Sequence, residues 1–176
     1  MNLADLNALD DEAAGLEFLR CCGSSRWARQ MSAARPFADA AALSAAAERI
    51  GSTLQREDWL EAFAAHPRIG AGRAGEAGRA GGAAAEWAAR EQANVALAAD
   101  ETLRRLADAN RAYEARFGYI FIVCATGKSA GEMLALLEAR LRHDADDELR
   151  IAADEQRKIT RLRLTKLLEQ EPDSIP

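Results

Sequence analysis

The amino-acid sequence contains few of the side chains that form disulfide bonds or bind transition metals. There are two histidines and three cysteines among 176 residues, and aromatic residues make up only 6% of the chain. The cysteines, Cys21, Cys22 and Cys124, are odd in number and include no C-x-x-C pair, which argues against a disulfide framework and against a zinc site. We therefore expect a protein without structural metal that resides in a reducing compartment, the cytoplasm.

The sequence also lacks an excess of basic residues and any long hydrophobic run. The formal net charge is -5 at pH 7, so a nucleic-acid partner is not expected. No apolar run approaches the roughly 20 residues that a membrane span requires. The first residues, MNLADLNALDDE, lack the basic and then apolar order of a signal peptide. No membrane partner is expected either.

What the sequence has in abundance is alanine within helical periods. Hydrophobic residues form 49% of the chain, enough for one core at this length. Before the middle of the chain, apolar residues recur at helical spacing in four stretches: residues 11–22, a stretch around Trp27 and Met31, residues 38–50 and residues 56–65. The pattern predicts an all-α protein, a compact helical bundle that forms a single domain over residues 1–176.

Two segments depart from this pattern. Residues 71–86 form a glycine- and alanine-rich stretch, AGRAGEAGRAGGAAAE, which predicts a flexible loop. Residues 119–125, YIFIVCA, have the propensity of a buried strand, but no second strand is available to pair with them. Because a lone strand leaves its backbone groups unsatisfied, we predict a buried segment outside any sheet.

The pattern of apolar residues in the second half of the chain predicts three further helices. The longest signal spans residues 87–117 and ends at Gly118, and the last helix spans about 146–169. Four residues of the last helix are predicted to face inward: Leu149, Ala152, Ile159 and Leu162.

The stretch TGKSAGE, residues 126–132, is not a Walker A loop, because that motif requires a glycine where Ile122 stands. Ser129 and Glu132 have instead the spacing of a capping box, which predicts a helix that ends near His143.

His66 lies at an abrupt helix end, followed by Pro67. The proline restricts its own φ and disfavours helical geometry for the residue before it, so the imidazole is held on a stiffened backbone. Imidazole titrates near neutral pH and can donate or accept a proton. From the residues alone, a helix cap or an ordinary surface position remains the favoured interpretation of His66.

Other polar residues carry weaker signals. Glu91 and Gln92 together could bind a ring edge that offers both donors and acceptors, although such pairs usually face solvent. Arg163 borders the apolar stripe of the last helix and needs an anionic partner, either a protein carboxylate or a ligand. Arg161 points further away and is expected to be exposed.

The remaining histidine and the third cysteine are given structural interpretations. His143 lies in the charged stretch RLRHDADDE and is predicted to be solvated. Cys124 lies in an apolar run with no base nearby in sequence, which predicts a buried, inert thiol.

Six stretches, taken in order, make a specific combination: LNALD, RWARQMSAARPF, HPRIG, WAAREQA, LADANRAYEARFGYIFIVCATGKS and EQRKITRLRLTKL. The chain thereby resembles the 2-oxo-4-hydroxy-4-carboxy-5-ureidoimidazoline (OHCU) decarboxylase family over nearly its whole length. Each block alone is weak. The succession of HP, EQ, N-x-x-Y-x-x-(R/K)-F-G and L-R-L carries the resemblance.

The resemblance implies an all-α homodimer that uses no cofactor and no metal, and that decarboxylates its ureidoimidazoline substrate to (S)-allantoin in urate degradation. It implies catalytic roles for His66 as the acid, Glu91 and Arg163. It also implies a substrate-binding set: Pro67, Ala88, Gln92 and the backbone of Ile122, Val123, Cys124 and Ala125.

One residue departs from the family's pattern. The family usually has S-x-x-E-Q, and Ala88 stands here at the serine position, so one hydrogen bond to the ligand would be lost or made by water. Two alternatives remain open: a non-catalytic helical module that binds a ligand or a partner, and a decarboxylase of a related ureido or imidazoline acid.

Overall fold

The computed structural model describes residues 1–67 and 100–169. The chain splits into two compact units: unit 1 contains Met1–Glu61 and the chain from Arg157, and unit 2 contains Ala62–Gln156. Within the described ranges all regular structure is helical, which confirms the all-α prediction. The single domain over residues 1–176 stays a prediction, and the 71–86 stretch lies outside the described residues.

Except for the first, which the sequence pattern did not predict, the described helices follow the predicted stretches closely. Their bounds are α1 Leu3–Ala8, α2 Asp11–Cys22, α3 Ser25–Ala33, α4 Ala40–Gly51, α5 Arg56–Ala64, α6 Asp100–Phe117, α7 Ala130–Arg140 and α8 Ala145–Glu169. The part of the predicted long helix before Asp100 lies outside the described residues. No helix in these ranges has the length and apolar character needed to cross a bilayer.

The first three helices of unit 1 begin where side chains can accept backbone N–H groups. The Oδ1 of Asp10 accepts the N–H of Ala13 at 2.7 Å, so Asp10 is the N-cap of α2. The hydroxyl of Ser24 accepts the N–H of Trp27 and begins α3. Between them Gly23 closes α2 in the left-handed conformation, at φ 86°.

Aromatic side chains form the centre of unit 1. Phe18 meets Trp27 edge to face at 6.0 Å between ring centroids and meets Phe37 in the same way at 6.3 Å. Both Phe18 and Trp27 are almost fully buried, and Met31 joins them from the next turn of α3. Few but large aromatic groups thus supply the area that alanine cannot bury.

Unit 2 is organised around the last part of α6, which packs against α7. Helical spacing predicts a core stripe on α6, in which Leu106, Asn110, Tyr113 and Phe117 are buried and Leu103 is only partly buried. The helix ends at Phe117, just before Gly118, whose φ is 81°. The chain then runs through residues 119–125 without helix or strand, which confirms the prediction of a buried non-sheet segment.

The capping box at the start of α7 is also confirmed. The hydroxyl of Ser129 accepts the N–H of Glu132 at 3.3 Å, and Glu132 accepts the N–H of Ser129 at 2.7 Å. This last bond lowers the pKa of Glu132. The helix ends at Arg140 rather than near His143, because the next residues form tighter turns in which His143 N–H donates to the carbonyl of Arg140.

Two glycines give opposite expectations for stability. Gly118→Ala should lower the free energy of unfolding by about 1–2 kcal/mol, because alanine is strained at positive φ although no atom lies within 4 Å of the added Cβ. Gly15→Ala, in the interior of α2 with equally open space, should raise it by about 0.5–1 kcal/mol. Urea denaturation of both variants measures the difference, and a destabilised Gly15→Ala would contradict it.

Candidate active site

His66 is held just beyond the C-terminal end of α5. The N–H of Ala65 donates to the carbonyl of Ala62 at 3.3 Å, and the N–H of His66 donates to that of Phe63 at 3.1 Å. These short turns carry the chain out of the helix into Pro67, which is exposed. His66 itself is partly exposed, whereas its Nε2 is inaccessible to solvent. The backbone turns and the following proline therefore restrict the position of the His66 imidazole.

The last turn of α5 lies beside the irregular segment 119–125. The rings of Phe63 and Tyr119 are 5.2 Å apart, and Phe63 precedes His66 by three residues. The segment then continues inward, since Ile122 and Val123 are 2% and 6% exposed. Unit 2 therefore places the last turn of α5, which precedes the predicted acid, against Tyr119 at the start of the segment whose backbone is predicted to bind substrate.

Three side chains hold the backbone of this segment. Arg140 Nη1 donates to the carbonyl of Ile122 at 2.7 Å, and the N–H of Cys124 donates to Glu155 Oε2 at 2.7 Å. Lys128 Nζ donates to the carbonyl of Cys124 at 2.7 Å. The backbone of Val123 has no hydrogen bond within the part of the chain that the structure describes.

Behind Arg140 lies a buried polar cluster, which we call the Glu148 cluster: Tyr113, Arg140, His143 and Glu148. Glu148 is fully buried and accepts from Arg140 Nε at 2.8 Å, from Arg140 Nη2 at 2.5 Å and from the Tyr113 hydroxyl. Burial and the hydrogen bond to Glu148 raise the pKa of Tyr113. The phenol therefore stays protonated and donates to the carboxylate.

The cluster corrects two predictions. His143 is 36% exposed, and its Nδ1 lies 2.9 Å from Glu148 Oε2, so it is a partner of a buried carboxylate rather than a solvated side chain. Leu149 was expected to face inward, yet its neighbour Glu148 is the fully buried residue and Leu149 is only partly buried. Because its hydrogen bonds and ion pairs compensate its charge, Glu148 occupies a buried position for which periodicity predicts an apolar side chain.

Two other predictions also need revision. Cys124 is a free thiol of intermediate exposure, although Val123 and Ala125 on either side of it are buried. Leu162 is only partly buried, whereas Ala152 and Ile159 face inward as predicted.

Arg163 belongs to unit 1 and is only 2% exposed. It lies on α8, and its Nη1 donates a long hydrogen bond of 3.5 Å to the carbonyl of Cys21. Burial raises the pKa of Cys21 to about 12 and that of Cys22 to about 11, and the Arg163 charge only partly offsets this effect. Both thiols are therefore protonated at neutral pH and chemically inert.

Arg161 contrasts with Arg163, as predicted. Its side chain is 58% exposed and pairs with Glu48. Arg161 and Glu48 border a cavity of about 10 Å³ in unit 1, which is also lined by Trp27 and Trp59. A space of that volume holds about one water molecule and is no substrate pocket.

Three predicted site residues, Ala88, Glu91 and Gln92, lie outside the described residues. Among the described ones, no group of three or more His, Cys, Asp or Glu side chains could hold a metal ion. Sequence reasoning missed Arg140, Glu148 and Glu155. A signal existed for Arg140, because it follows Leu137 by three on the buried face of α7, where a charge needs a partner.

The chain matches known proteins in sequence and in fold. A family model described as OHCU decarboxylase matches residues 7–165. The chain belongs to the OHCU decarboxylase family. The match includes His66, Arg163 and the whole of the 119–125 segment, so the residues discussed above all fall within the part that this family shares.

The chain matches two curated relatives over different fractions of their length. The chain is 38% identical over 151 residues to the Arabidopsis thaliana protein "Uric acid degradation bifunctional protein TTL", covering 86% of this chain and 46% of that one. It is 29% identical over 172 residues to the 2-oxo-4-hydroxy-4-carboxy-5-ureidoimidazoline decarboxylase of Haloferax volcanii, covering 97% and 98%. The chain thus spans about half of the first relative and almost all of the second.

Solved structures agree with the OHCU decarboxylase fold. A crystal structure of an OHCU decarboxylase in the presence of (S)-allantoin is 36% identical, with a TM-score of 0.75 over 92% of this chain and 100% of that one. A crystal structure of an (S)-allantoin synthase, 20% identical, has a TM-score of 0.67 and covers 94% of this chain and 54% of that one. The second likeness concerns the fold alone.

Proposed function

We propose that this protein decarboxylates 2-oxo-4-hydroxy-4-carboxy-5-ureidoimidazoline to (S)-allantoin, a step of urate degradation, without a cofactor. The observation that carries the proposal is the family match over residues 7–165. The likeness to an OHCU decarboxylase crystallised in the presence of (S)-allantoin supports the assigned product.

The reaction requires an acid and anion-binding groups rather than an external electron sink. The bond between the ring carbon and the carboxylate breaks, CO₂ leaves, and the electron pair passes into the unsaturated ring. The ring nitrogen takes up a proton, the hydroxyl group loses one as it becomes the ring carbonyl, and a proton is added to the ring carbon that bears the ureido group. Delivery of that proton to one face gives one enantiomer, which explains why a positioned acid is needed.

His66 is the proton donor in this proposal, and its placement at a stiffened helix end supports the role. Arg163 binds an anionic or carbonyl oxygen of the substrate, since a buried guanidinium is suited to such an acceptor. Glu91 accepts a ring or ureido N–H and Gln92 fixes orientation. Pro67 and Ala88 line the site.

The backbone of residues 122–125 supplies the remaining contacts. Val123 offers an N–H and a C=O, and a ureido group or ring amide presents the complementary acceptor and donor along one edge. The backbone of Val123 has no partner among the described residues, and a buried backbone group in that situation is normally completed by water or ligand, which supports substrate binding at this residue.

We further propose that the protein is a cytoplasmic homodimer. Its three cysteines are free thiols, as expected in a reducing compartment. The homodimer rests on the family resemblance, and light scattering of the purified protein gives the mass that tests it.

A second candidate function is a binding module that has lost catalysis. The observation in its favour is Ala88 at the position where the family usually has serine. This candidate predicts ligand binding without release of CO₂. A decarboxylase of a related ureido or imidazoline acid would retain turnover but favour a different substrate.

The decisive experiment generates the unstable substrate in situ from urate with urate oxidase and hydroxyisourate hydrolase. Circular dichroism then follows the appearance of optically active allantoin. We expect the protein to accelerate formation of the (S) enantiomer over the spontaneous, racemic background, and to do so equally after treatment with a chelator. A rate equal to the background contradicts catalysis, and loss of activity on chelation contradicts the cofactor-free scheme.

A further inference from the structure

The Glu148 cluster poses an energetic question. Arg140 and Glu148 are 6% and 0% exposed and form a direct ion pair within unit 2. Burying two charges costs free energy that their attraction barely offsets, and apolar replacements are often as stable. The pair therefore calls for a role other than stability, and its contacts outside the cluster indicate which.

Arg140 extends from the cluster to the irregular segment. With Nε and Nη2 occupied by Glu148, its remaining nitrogen, Nη1, donates to the carbonyl of Ile122 at 2.7 Å. Its guanidinium also lies over the ring of Phe121, 4.6 Å from the centroid. Glu148 thus fixes Arg140, and Arg140 fixes the peptide between Ile122 and Val123.

Glu155 holds the next peptide in the same way. Its Oε2 accepts the N–H of Cys124 at 2.7 Å, and that N–H belongs to the peptide between Val123 and Cys124. Each of the two peptides that flank Val123 is therefore held through the group of the neighbouring residue, the Ile122 carbonyl in one and the Cys124 N–H in the other. The N–H and C=O of Val123 itself are the other groups of these two peptides.

The planarity of the peptide bond transmits this constraint to Val123. In a trans peptide the N–H and C=O point in opposite directions, and the only cis bond among the described residues is Arg35–Pro36. Arg140 on the Ile122 carbonyl consequently sets the direction of the Val123 N–H, and Glu155 on the Cys124 N–H sets that of the Val123 C=O.

We propose that Arg140, supported by Glu148, and Glu155 are positioning residues that fix the N–H and C=O of Val123 toward the substrate. The inference rests on the proposed function for its substrate, a molecule with an amide edge. Neither residue touches substrate in this scheme, and both act through the backbone. Preorganised donor and acceptor directions orient the ring relative to the acid.

The Glu155 half is tested by a matched pair of variants. Glu155→Gln keeps an oxygen that accepts the Cys124 N–H, whereas Glu155→Met removes it at similar length. We expect kcat/KM to fall by about 10²-fold in Glu155→Met, as for a misplacement of about 1 Å, and to stay near the wild-type value in Glu155→Gln with an unchanged pH profile. Equal losses in both variants, or none in Glu155→Met, would overturn the proposal.

The Arg140 half requires a double variant, because removing one partner leaves a buried, unpaired charge. Arg140→Met combined with Glu148→Leu removes both charges. We expect it to fold with a lowered thermal midpoint, because the buried Tyr113 hydroxyl loses its acceptor, and to lose at least about tenfold in kcat/KM, since the Val123 N–H is no longer held. Full activity in a folded double variant contradicts the role of Arg140. Should this variant not fold, the Glu155 pair still decides the proposal.

A second measurement separates this inference from the proposed function. Hydrogen exchange of the Cys124 amide, followed by NMR without substrate, should be slow in wild type and Glu155→Gln and faster in Glu155→Met. An inactive wild type with this exchange pattern contradicts the proposed function alone. An active wild type whose Cys124 amide exchanges equally fast in all three proteins contradicts the positioning role alone.

Discussion

Replacing His66 with alanine is expected to lower turnover by about 10²–10⁴-fold, the usual contribution of a positioned acid. The backbone at this site does not depend on the imidazole, because its N–H is bonded to the carbonyl of Phe63. The side chain follows the last turn of α5 and is only partly exposed, so its removal should affect proton delivery more than folding. The coupled circular-dichroism assay measures the effect, with (S)-allantoin formation as the signal.

Two observations would show whether the loss is chemical. The variant should keep the helical circular-dichroism spectrum and the thermal midpoint of the wild type. Added imidazole should restore part of the rate, because the protonated imidazolium can occupy the space left by the side chain and deliver the proton. A His66→Ala protein that turns over substrate at the wild-type rate would remove His66 from the mechanism.

The helices of this protein could be predicted well because their signals are local. Asp10 accepts a backbone N–H three residues away, Ser129 and Glu132 cap α7 together, and Gly118 ends α6 at positive φ. Each signal lies within one turn of the helix end that it specifies. The irregular course of residues 119–125 was predicted from an absence, since the sequence pattern offers no second strand to pair with them.

The polar interior of unit 2 could not be predicted because its pairs are distant in sequence. Tyr113 and Glu148 are 35 residues apart, and Cys124 and Glu155 are 31 apart. Periodicity identifies a buried face, but it cannot tell which charged residue on that face finds a partner there. It consequently favoured Leu149 over Glu148, one position too far along the helix.

The sequence carried a signal for some site residues and none for others. His66 was distinguished by the proline that follows it, yet its role came only from the combination with other motifs. The backbone of Val123 carries no side-chain signal at all, because what matters is the direction of its N–H and C=O. Sequence can name such a segment through family resemblance, but the residues that hold it become visible only in three dimensions.

Replacing Arg163 with methionine is expected to lower kcat/KM by about 10- to 150-fold, whereas the same change at Arg161 should leave it unaltered. A hydrogen bond to a charged group contributes about 1.5–3 kcal/mol, which corresponds to that range. The two residues lie two positions apart on α8, but Arg163 is 2% exposed and Arg161 has a side chain that is 58% exposed and pairs with Glu48. Arg161→Met therefore controls for the loss of one positive charge and for helix composition.

The distribution of the loss between the kinetic constants tests the role of Arg163. If the guanidinium binds substrate and transition state equally, KM rises and kcat is kept. If it holds an oxygen that gains charge as CO₂ leaves, kcat falls as well. We expect both constants to change, because the carboxylate is present before the reaction and the new charge develops on the ring. Equal kcat/KM in the two methionine variants would place Arg163 outside the site, as a structural residue of unit 1.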